Sequence, residues 1–215
     1  MSEDEIIDEL VRRIQLGVPD MTIGFIKETN VPIENIPGLL QKVMERIGIL
    51  WEEEKISLTQ IYVAGMIVSK IIEKYFPVNV EPDMAEKPLI ILGSIAEDCH
   101  SLGKELVKRF LAPFFVIRDL GIDVPPEEFV RVAAEESAPV IAISAVMMNA
   151  AWNIEKLRTL IDQNEWEKKP LLIVGGAPFN LDPGLWQRLG ADYMIPSAIE
   201  APMIISRILQ ERGYA

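Results

Sequence analysis

The only histidine of this 215-residue chain, His100, lies in the stretch GSIAEDCHSLGKELV, residues 93–107. Asp98 stands two residues before it and can accept a hydrogen bond from one ring nitrogen, which fixes the tautomer and makes the other nitrogen a more basic metal ligand. Gly103 stands three residues after it and removes a side chain where a bulky ligand would need to pass. The spacing therefore predicts a metal-ligating histidine that an aspartate orients.

A single histidine limits the kind of metal site that the chain can form. Because a cage of protein ligands needs several donors, one imidazole cannot hold a metal ion by itself. It can be the axial ligand of a metal that a macrocycle already holds, which leaves a haem or a corrin. The plainer alternative, that a lone histidine in a loop is structural or simply exposed, stays open on the residues alone.

The elements that position this stretch are predicted from hydrophobic patterning. Short apolar runs alternate with helical patterns from Leu89 onward, and this alternation predicts a doubly wound domain with a five-stranded parallel sheet, Rossmann-like or flavodoxin-like. The runs are LIIL, FFVI, VIAI, LLIV and the weaker YMI. Ligands bind such sheets outside the carboxyl ends of the strands. The turns GSIAEDCHSLG, SAVMMNA and GGAPFN follow the first, third and fourth runs and should meet at one rim. In contrast, RDLGIDVPPEE is predicted to be an ordinary turn into a proline-capped helix.

The first 75 residues have a different pattern, with apolar residues at helical spacing. IIDELVRRIQLG, IPGLLQKVMERIGILW and SLTQIYVAGMIVSKIIEKYF each place an apolar stripe on one face, and Ser57 is a candidate N-cap. A shorter helix is expected near DMTIGFIKETN. We expect a helical bundle over residues 1–80, a proline-rich linker over 81–88 and the α/β domain over 89–215.

Composition and motifs exclude several other functions. The net charge of −12 argues against nucleic acid as a partner. One cysteine excludes an internal disulfide framework and the multi-cysteine zinc sites. A G-x-G-x-x-G fingerprint, a P-loop and a G-x-S-x-G elbow are all absent from the sequence. The acidic N-terminus does not resemble a secretory signal and no apolar run is long enough for a membrane span, so a cytoplasmic protein without a membrane partner is expected.

Three spaced motifs resemble the cobalamin-binding corrinoid proteins of methyltransferase systems and the matching module of cobalamin-dependent methionine synthase. That family has D-x-H-x-x-G, then S-x-L about forty residues on, then G-G a little under thirty residues later. Here the motifs are Asp98-Cys-His100-Ser-Leu-Gly103, Ser144-Ala-Val146 and Gly175-Gly176, separated by residues 104–143 and 147–174. The segment VMERIGILWEEEKISLTQIYVA also resembles the helical cap of the family.

The resemblance implies a cofactor and a set of binding residues. The cofactor would be cobalamin, as methylcobalamin or a related corrinoid, bound base-off with His100 as the cobalt ligand and Asp98 orienting it. The freed nucleotide tail would run beside Gly103, past Ser144 and over Gly175 and Gly176. Trp51 and Leu58 would cover the upper face of the corrin, although a tryptophan in the core of the bundle is a nearly equal interpretation of Trp51. The full set is Trp51, Leu58, Asp98, Cys99, His100, Ser101, Leu102, Gly103, Ser144, Val146, Met148, Gly175, Gly176, Ala177, Ser197 and Ala198.

Some residues depart from the family pattern. Glu97 replaces a usual glycine, and Ser197 stands where an aspartate is common. Ala150 stands where some members have the hydroxyl that completes a ligand triad. These departures put the proton relay beyond Asp98 in doubt and leave the ligand itself untouched.

The function that the resemblance implies is a corrinoid carrier, a non-catalytic subunit of a methyltransferase system. It would shuttle a methyl group between a substrate-specific methyltransferase and an acceptor methyltransferase that uses tetrahydrofolate or a thiol, with a reductive activase as a further partner. Two alternatives remain: a cobalamin-responsive sensor or storage module without methyl transfer, and a domain that has lost its cofactor.

Overall fold

A computed structural model describes residues 1–77 and 87–214 of the chain. The chain divides into two compact units, Met1–Pro77 and Val78–Ala215. Most of the predicted linker over 81–88 lies outside the described residues, and the predicted domain boundaries stay a prediction.

The first unit is helical, as its apolar periodicity predicts. It contains α1 (Glu3–Gln15), α2 (Pro19–Glu28), a 3₁₀ turn (Ile33–Asn35), α3 (Ile36–Glu52) and α4 (Leu58–Tyr75). Helix α3 packs against α1 and α4. The side chains that form the interior are fully buried: Leu10, Ile14, Ile26, Ile36, Val43, Ile47, Ile67 and Ile71.

The predicted N-cap of α4 is confirmed. The Ser57 hydroxyl accepts a hydrogen bond from the backbone N–H of Gln60 at 3.3 Å, and the Gln60 side chain accepts one from the backbone N–H of Ser57 at 2.9 Å. This reciprocal capping box satisfies two backbone donors that the first turn of a helix leaves without partners. It fixes the residue at which α4 begins.

The second unit is the predicted parallel sheet covered by helices. Its elements are β1 (Leu89–Ile95), α5 (Leu102–Leu111), β2 (Val116–Val124), α6 (Pro126–Glu135), β3 (Val140–Ser144), α7 (Met148–Ala151), α8 (Asn153–Gln163), β4 (Leu171–Gly175), α9 (Ala177–Leu181), α10 (Leu185–Arg188), β5 (Tyr193–Met194) and α11 (Ala201–Glu211). The five strands are parallel and their order is β2-β1-β3-β4-β5. This order is that of flavodoxin-like doubly wound folds.

Two apolar layers lie on opposite faces of the sheet because successive strand residues point in opposite directions. Ile91 and Ile143 join Phe129 of α6 and Leu157 of α8 in one layer. Ile90 of β1 packs in the other layer, whose helical contributions come from α5 and α11. The strands are therefore buried on both sides, which explains their nearly continuous apolar sequence.

The prediction of an ordinary turn at RDLGIDVPPEE was wrong, because β2 continues through residue 124, whereas the proline-capped helix expected after it is confirmed as α6, which begins at Pro126. Arg118, Asp119 and Gly121 pair with β1, with register shifts after Leu92 and after Gly93. Gly121 has φ +96°. β2 is an edge strand, and most of its residues are half-buried or exposed. It therefore contains polar residues and a glycine, and its sequence lacks the continuous apolar run that predicts a buried strand. The short helices α7 and α9 were likewise not predicted.

Candidate functional site

The site lies where the strand order reverses. Strands β1 and β3 are neighbours, and the chain leaves β1 toward α5 on one face but leaves β3 toward α8 on the other. This divergence opens a crevice at the carboxyl ends of the two strands, which is where ligands bind in doubly wound sheets. Residues 96–101, the histidine loop, leave β1 at this point.

Asp98 is hydrogen-bonded to both the ring and the main chain of His100. One carboxylate oxygen, Oδ1, lies 2.8 Å from Nδ1 of His100 and accepts the backbone N–H of His100 at 3.0 Å. Asp98 is fully buried, whereas the side chain of His100 is 52 % exposed. With Nδ1 held by the carboxylate, Nε2 is the nitrogen that can act as a ligand.

The second carboxylate oxygen of Asp98 ties the histidine loop to the end of β3. Oδ2 accepts the backbone N–H groups of Val146 at 2.5 Å and of Met147 at 3.1 Å. Burial alone raises the pKa of Asp98, but the hydrogen bonds from Val146 and His100 outweigh it, so that the pKa lies below its ordinary value. Asp98 is thus a buried carboxylate stabilised in its ionised form.

Two further side chains hold the histidine loop, and the sequence analysis missed both. Buried Ser94 donates a hydrogen bond from its hydroxyl to the carbonyl oxygen of His100 at 2.9 Å. The amide of Asn153, at the start of α8, donates to the carbonyl oxygen of Ala96 at 3.0 Å. The only sequence signal for Ser94 is a polar residue near the end of an apolar run, and Asn153 carries none.

The structure brings the three motifs together. Ser94, Ser144 and Gly175 are aligned across β1, β3 and β4. The backbone N–H of Ala145 donates to the carbonyl oxygen of Gly175 at 3.0 Å. A Cβ atom added to Gly103 would lie 3.7 Å from Oγ of Ser144, so the start of α5 passes close to the end of β3.

The two consecutive glycines are required by the backbone around them. Gly176 has φ +123°, and a Cβ atom there would lie 1.9 Å from the carbonyl oxygen of Ala145. At Gly175 a Cβ atom would lie 3.0 Å from the carbonyl oxygen of Ile195. At both positions two main-chain segments of this chain come into close approach, and the expected approach of a nucleotide tail to these glycines stays a prediction.

The remaining predicted residues lie in several places. Cys99 is an exposed free thiol in the histidine loop, Ser101 precedes α5, and Leu102 begins it. Val146 and Met148 are partly exposed after β3, and Ala177 begins α9. Ser197 and Ala198 lie between β5 and α11.

Trp51 and Leu58 belong to the helical unit, where their exposed fractions are 50 % and 70 %. The alternative that Trp51 is a core aromatic of the bundle was therefore wrong.

The donor set fits a macrocycle-held metal and not a cage of protein ligands. Among residues 1–77 and 87–214, no three His, Cys, Asp or Glu side chains are grouped so that they could hold a metal ion. A single imidazole, oriented through Nδ1 and exposed at its other edge, is suited to one axial position. Glycine at 103, 175 and 176 keeps the surrounding main chain free of side chains.

None of the helices in the described part of the chain is long and apolar enough to cross a bilayer.

Comparisons with known proteins agree with this donor set. Residues 88–203 match the B12 binding domain family, and residues 3–75 match a second family model described as a B12 binding domain. The chain is 29 % identical to dimethylamine corrinoid protein 1 of Methanosarcina mazei, over 93 % of this chain and 94 % of that protein. It is 30 % identical to trimethylamine corrinoid protein 1 of the same species, over 82 % and 81 %. Among solved structures, the monomethylamine corrinoid protein of Methanosarcina barkeri superposes with a TM-score of 0.80 at 27 % identity, covering 96 % of this chain and all of that one.

Proposed function

We propose that this chain, which belongs to the B12 binding domain family, is a methyl carrier. Its cofactor is cobalamin or a related corrinoid. It would receive a methyl group from one methyltransferase and present it to another. The observation that carries this proposal is the oriented, exposed imidazole of His100 at the switch point of the sheet. The bound corrinoid supplies a cobalt ion that accepts and releases a methyl group.

The residues of the chain hold and orient that group. His100 would coordinate the cobalt through Nε2, in the base-off, His-on mode, while Asp98 keeps Nδ1 protonated. The freed nucleotide tail would follow the main chain near Gly103, Ser144 and Gly175, which lie at the ends of neighbouring elements on the same side of the sheet.

The methyl donor is a methylated amine in this proposal. The two corrinoid proteins compared above are named for dimethylamine and trimethylamine, and the solved structure is of a protein named for monomethylamine. A methylamine methyltransferase would therefore transfer the methyl group to the carrier, and an acceptor methyltransferase using tetrahydrofolate or a thiol would remove it. A reductive activase would reduce the cobalt again when it has become oxidised.

The helical unit supplies the second part of the proposal. Trp51 and Leu58 are large apolar side chains that the unit leaves exposed. Their assignment as residues that cover the cofactor stays a prediction. A covering apolar surface would keep water away from the methyl group between transfers.

The first test is spectroscopic. Purified protein reconstituted with cobalamin should give a base-off, His-on absorption spectrum, and the Co(II) form should show coupling to one imidazole nitrogen in electron paramagnetic resonance. In protein labelled with ¹⁵N-histidine, which distinguishes the imidazole from the nitrogen of the nucleotide base, His100→Ala should lose the ¹⁵N coupling because no other histidine is present. Glu3→Gln, at an exposed position of α1 outside the predicted binding set, is the control and should leave both spectra unchanged. An unchanged spectrum in His100→Ala would refute the ligand assignment.

The second test separates a methyl carrier from a sensor or storage protein. Protein loaded with methylcobalamin is mixed with the acceptor methyltransferase and its thiol or tetrahydrofolate. Methyl transfer that requires His100 supports the carrier. Tight binding without transfer to either acceptor, together with a change in assembly that depends on the corrinoid form, would replace it by the sensor.

A further inference from the structure

The histidine loop is fastened at its other side by Asp123, a residue at the end of β2. The backbone N–H of Glu97 donates to Oδ1 of Asp123 at 2.7 Å, and the backbone N–H of Asp123 donates to the carbonyl oxygen of Asp98 at 3.0 Å. These two hydrogen bonds join segments that are 26 residues apart. We call this pair of contacts the β2 clip.

The β2 clip coincides with an unfavourable backbone conformation. Glu97 has φ +69° and Asp123 has φ +53°, both in the left-handed region. Aspartate tolerates this region better than most residues, whereas glutamate has no such advantage. A glycine would adopt the conformation of Glu97 freely, so the hydrogen bond to Asp123 stabilises a conformation that the residue itself disfavours.

The backbone that the β2 clip holds is the backbone that aims Asp98. Glu97 immediately precedes Asp98, and the carbonyl of Asp98 is one of the two acceptor groups in the clip. The carboxylate of Asp98 in turn holds Nδ1 of His100. A rotation of the 97–98 peptide units would therefore move the carboxylate away from the imidazole.

We propose that Asp123 is a positioning residue for His100, acting through Glu97 and Asp98. This inference deepens the proposed function, and its consequence for cofactor binding rests on it. Its consequence for the imidazole can be measured in the protein without cofactor. The rival explanation is that Asp123 only stabilises the end of β2, an edge strand, without affecting the histidine.

The first measurement uses the fact that His100 is the only histidine of the chain. In protein labelled with ¹⁵N-histidine, long-range ¹H–¹⁵N spectra report the tautomer of this one ring. At about pH 8.5, above the usual titration range of histidine, wild type should show the Nδ1-protonated tautomer. Asp123→Ala should show a population-averaged signal shifted toward the Nε2-protonated tautomer, which predominates in free histidine.

A rescue variant distinguishes positioning from general stabilisation. Because glycine adopts a positive φ without support, Glu97→Gly in the Asp123→Ala background should restore most of the wild-type tautomer signal. The matched control is Asp192→Ala. Asp192 also accepts a backbone N–H, that of Leu172 at 2.8 Å, but at the opposite end of the sheet. It should lower thermal stability without changing the histidine spectrum.

The second measurement is cobalamin binding by the same four proteins. Asp123→Ala should bind roughly fivefold more weakly, as expected for one lost hydrogen bond, with a smaller His-on fraction in the bound form. The double variant Asp123→Ala, Glu97→Gly should recover most of the wild-type affinity for cobalamin, and Asp192→Ala should bind cobalamin as wild type does. If Asp123→Ala folds by circular dichroism and keeps both the tautomer and the affinity of wild type, the proposal is overturned. If the tautomer changes as expected but wild type binds no corrinoid, the proposed function fails and the positioning role of Asp123 stands.

Discussion

At the residue scale, Asp98 meets its hydrogen-bonding needs without a third side chain. The position at which some related proteins carry a hydroxyl is Ala150, which is fully buried. The backbone N–H groups of Val146 and Met147 bind Oδ2 of Asp98 in this chain. Main-chain donors hold the carboxylate in its ionised form but cannot pass on a proton as a hydroxyl could. The departure at Ala150 therefore changes how Asp98 is held, while the bond to His100 is kept.

The three motif glycines have different roles, and alanine substitution should separate them. Gly103 is the second residue of α5, and a Cβ atom there would make only an ordinary contact with Ser144. Gly103→Ala should therefore raise the free energy of unfolding by about 0.5–1 kcal/mol, because alanine loses less conformational entropy in a helix. It should nevertheless weaken cobalamin binding if the nucleotide tail passes this point. Urea denaturation and a cobalamin titration on one preparation measure both.

Gly176→Ala is the matching variant with the opposite expectation for stability. The added Cβ atom would collide with the carbonyl oxygen of Ala145, and φ +123° is unfavourable for alanine. We expect a loss of at least about 2 kcal/mol in unfolding free energy. Equal stability of the two alanine variants would contradict the assignment of Gly176 as a backbone requirement, and unchanged cobalamin binding by Gly103→Ala would contradict the assignment of Gly103 as a cofactor requirement.

At this scale the sequence was informative where a motif has fixed spacing and uninformative where contacts are tertiary. Asp98, His100 and Gly103 were identified as a group because the motif that contains them spans only six residues of chain. Ser94 and Asn153 bind backbone carbonyls of the same loop, yet nothing in their local sequence distinguishes them from other polar residues. Side chain to backbone bonds carry no residue-specific partner, so sequence patterns cannot reveal them.

At the element scale, a buried ion cluster joins α5 to β2 directly after the histidine loop. Lys104 is 2 % exposed, and its ammonium group donates to both carboxylate oxygens of Asp119 at 2.7 Å and to Glu105 at 2.8 Å. Lys108 also donates to Asp119, at 2.8 Å. Burial alone raises the pKa of Asp119, but the hydrogen bonds from Lys104 and Lys108 outweigh this effect, so that the pKa lies below its ordinary value.

Removing the carboxylate of this cluster should lower the free energy of unfolding more than replacing the buried ammonium group does. Asp119→Ala leaves the Lys104 ammonium buried with fewer partners and should lower the unfolding free energy by about 3–5 kcal/mol at pH 7. Lys104→Met fills a similar volume without a charge and should cost less. The control is Glu3→Gln, which breaks an exposed ion pair between Glu3 and Lys42, both in the helical unit. It should change the free energy of unfolding by less than about 1 kcal/mol.

The destabilisation by Asp119→Ala should depend on pH with a definite sign. Because the pKa of Asp119 is lower in the folded than in the unfolded protein, its stabilising contribution is complete above the ordinary value of 3.8 and is lost as pH falls through the folded value. The gap between wild type and Asp119→Ala in urea denaturation should therefore narrow below about pH 4. A gap of constant size at pH 7 and at lower pH would contradict the ionised cluster.

The same cluster shows why β2 was not predicted beyond residue 117. Asp119 and Gly121 were interpreted as turn residues, because charged residues and glycine are depleted in strands. Asp119 is tolerated in β2 because Lys104 and Lys108 of α5 neutralise it. The element assignment thus depended on a helix that packs next to it in space, which local patterns do not contain.

At the scale of the whole molecule, the alternation of apolar runs and helical patterns was sufficient to predict the sheet, and the resemblance of three spaced motifs to a known family predicted its cofactor. The strand order β2-β1-β3-β4-β5 places the first, third and fourth turns on adjacent strands, as the convergence of the three motifs requires. The predicted five strands are the five of the sheet, although β5 has only two residues. What sequence left open was the fine structure between the strands, including α7, α9 and the extension of β2.

The second unit should bind the cofactor without the helical unit. All contacts that orient His100 come from residues 94–153, and the sheet has its own two apolar layers. A fragment of residues 87–215 is long enough to bury such a core, so we expect it to unfold cooperatively and to bind cobalamin with the His-on spectrum of the full chain. The same fragment with His100→Ala is the control.

The covering role proposed for Trp51 and Leu58 predicts a difference between the fragment and the full chain. Methylcobalamin bound to the fragment should lose its methyl group to light or thiols faster than methylcobalamin bound to the full chain. The double variant Trp51→Ala, Leu58→Ala of the full chain should approach the rate of the fragment. Equal rates in fragment and full chain would leave His100 ligation intact and remove the covering role from the helical unit.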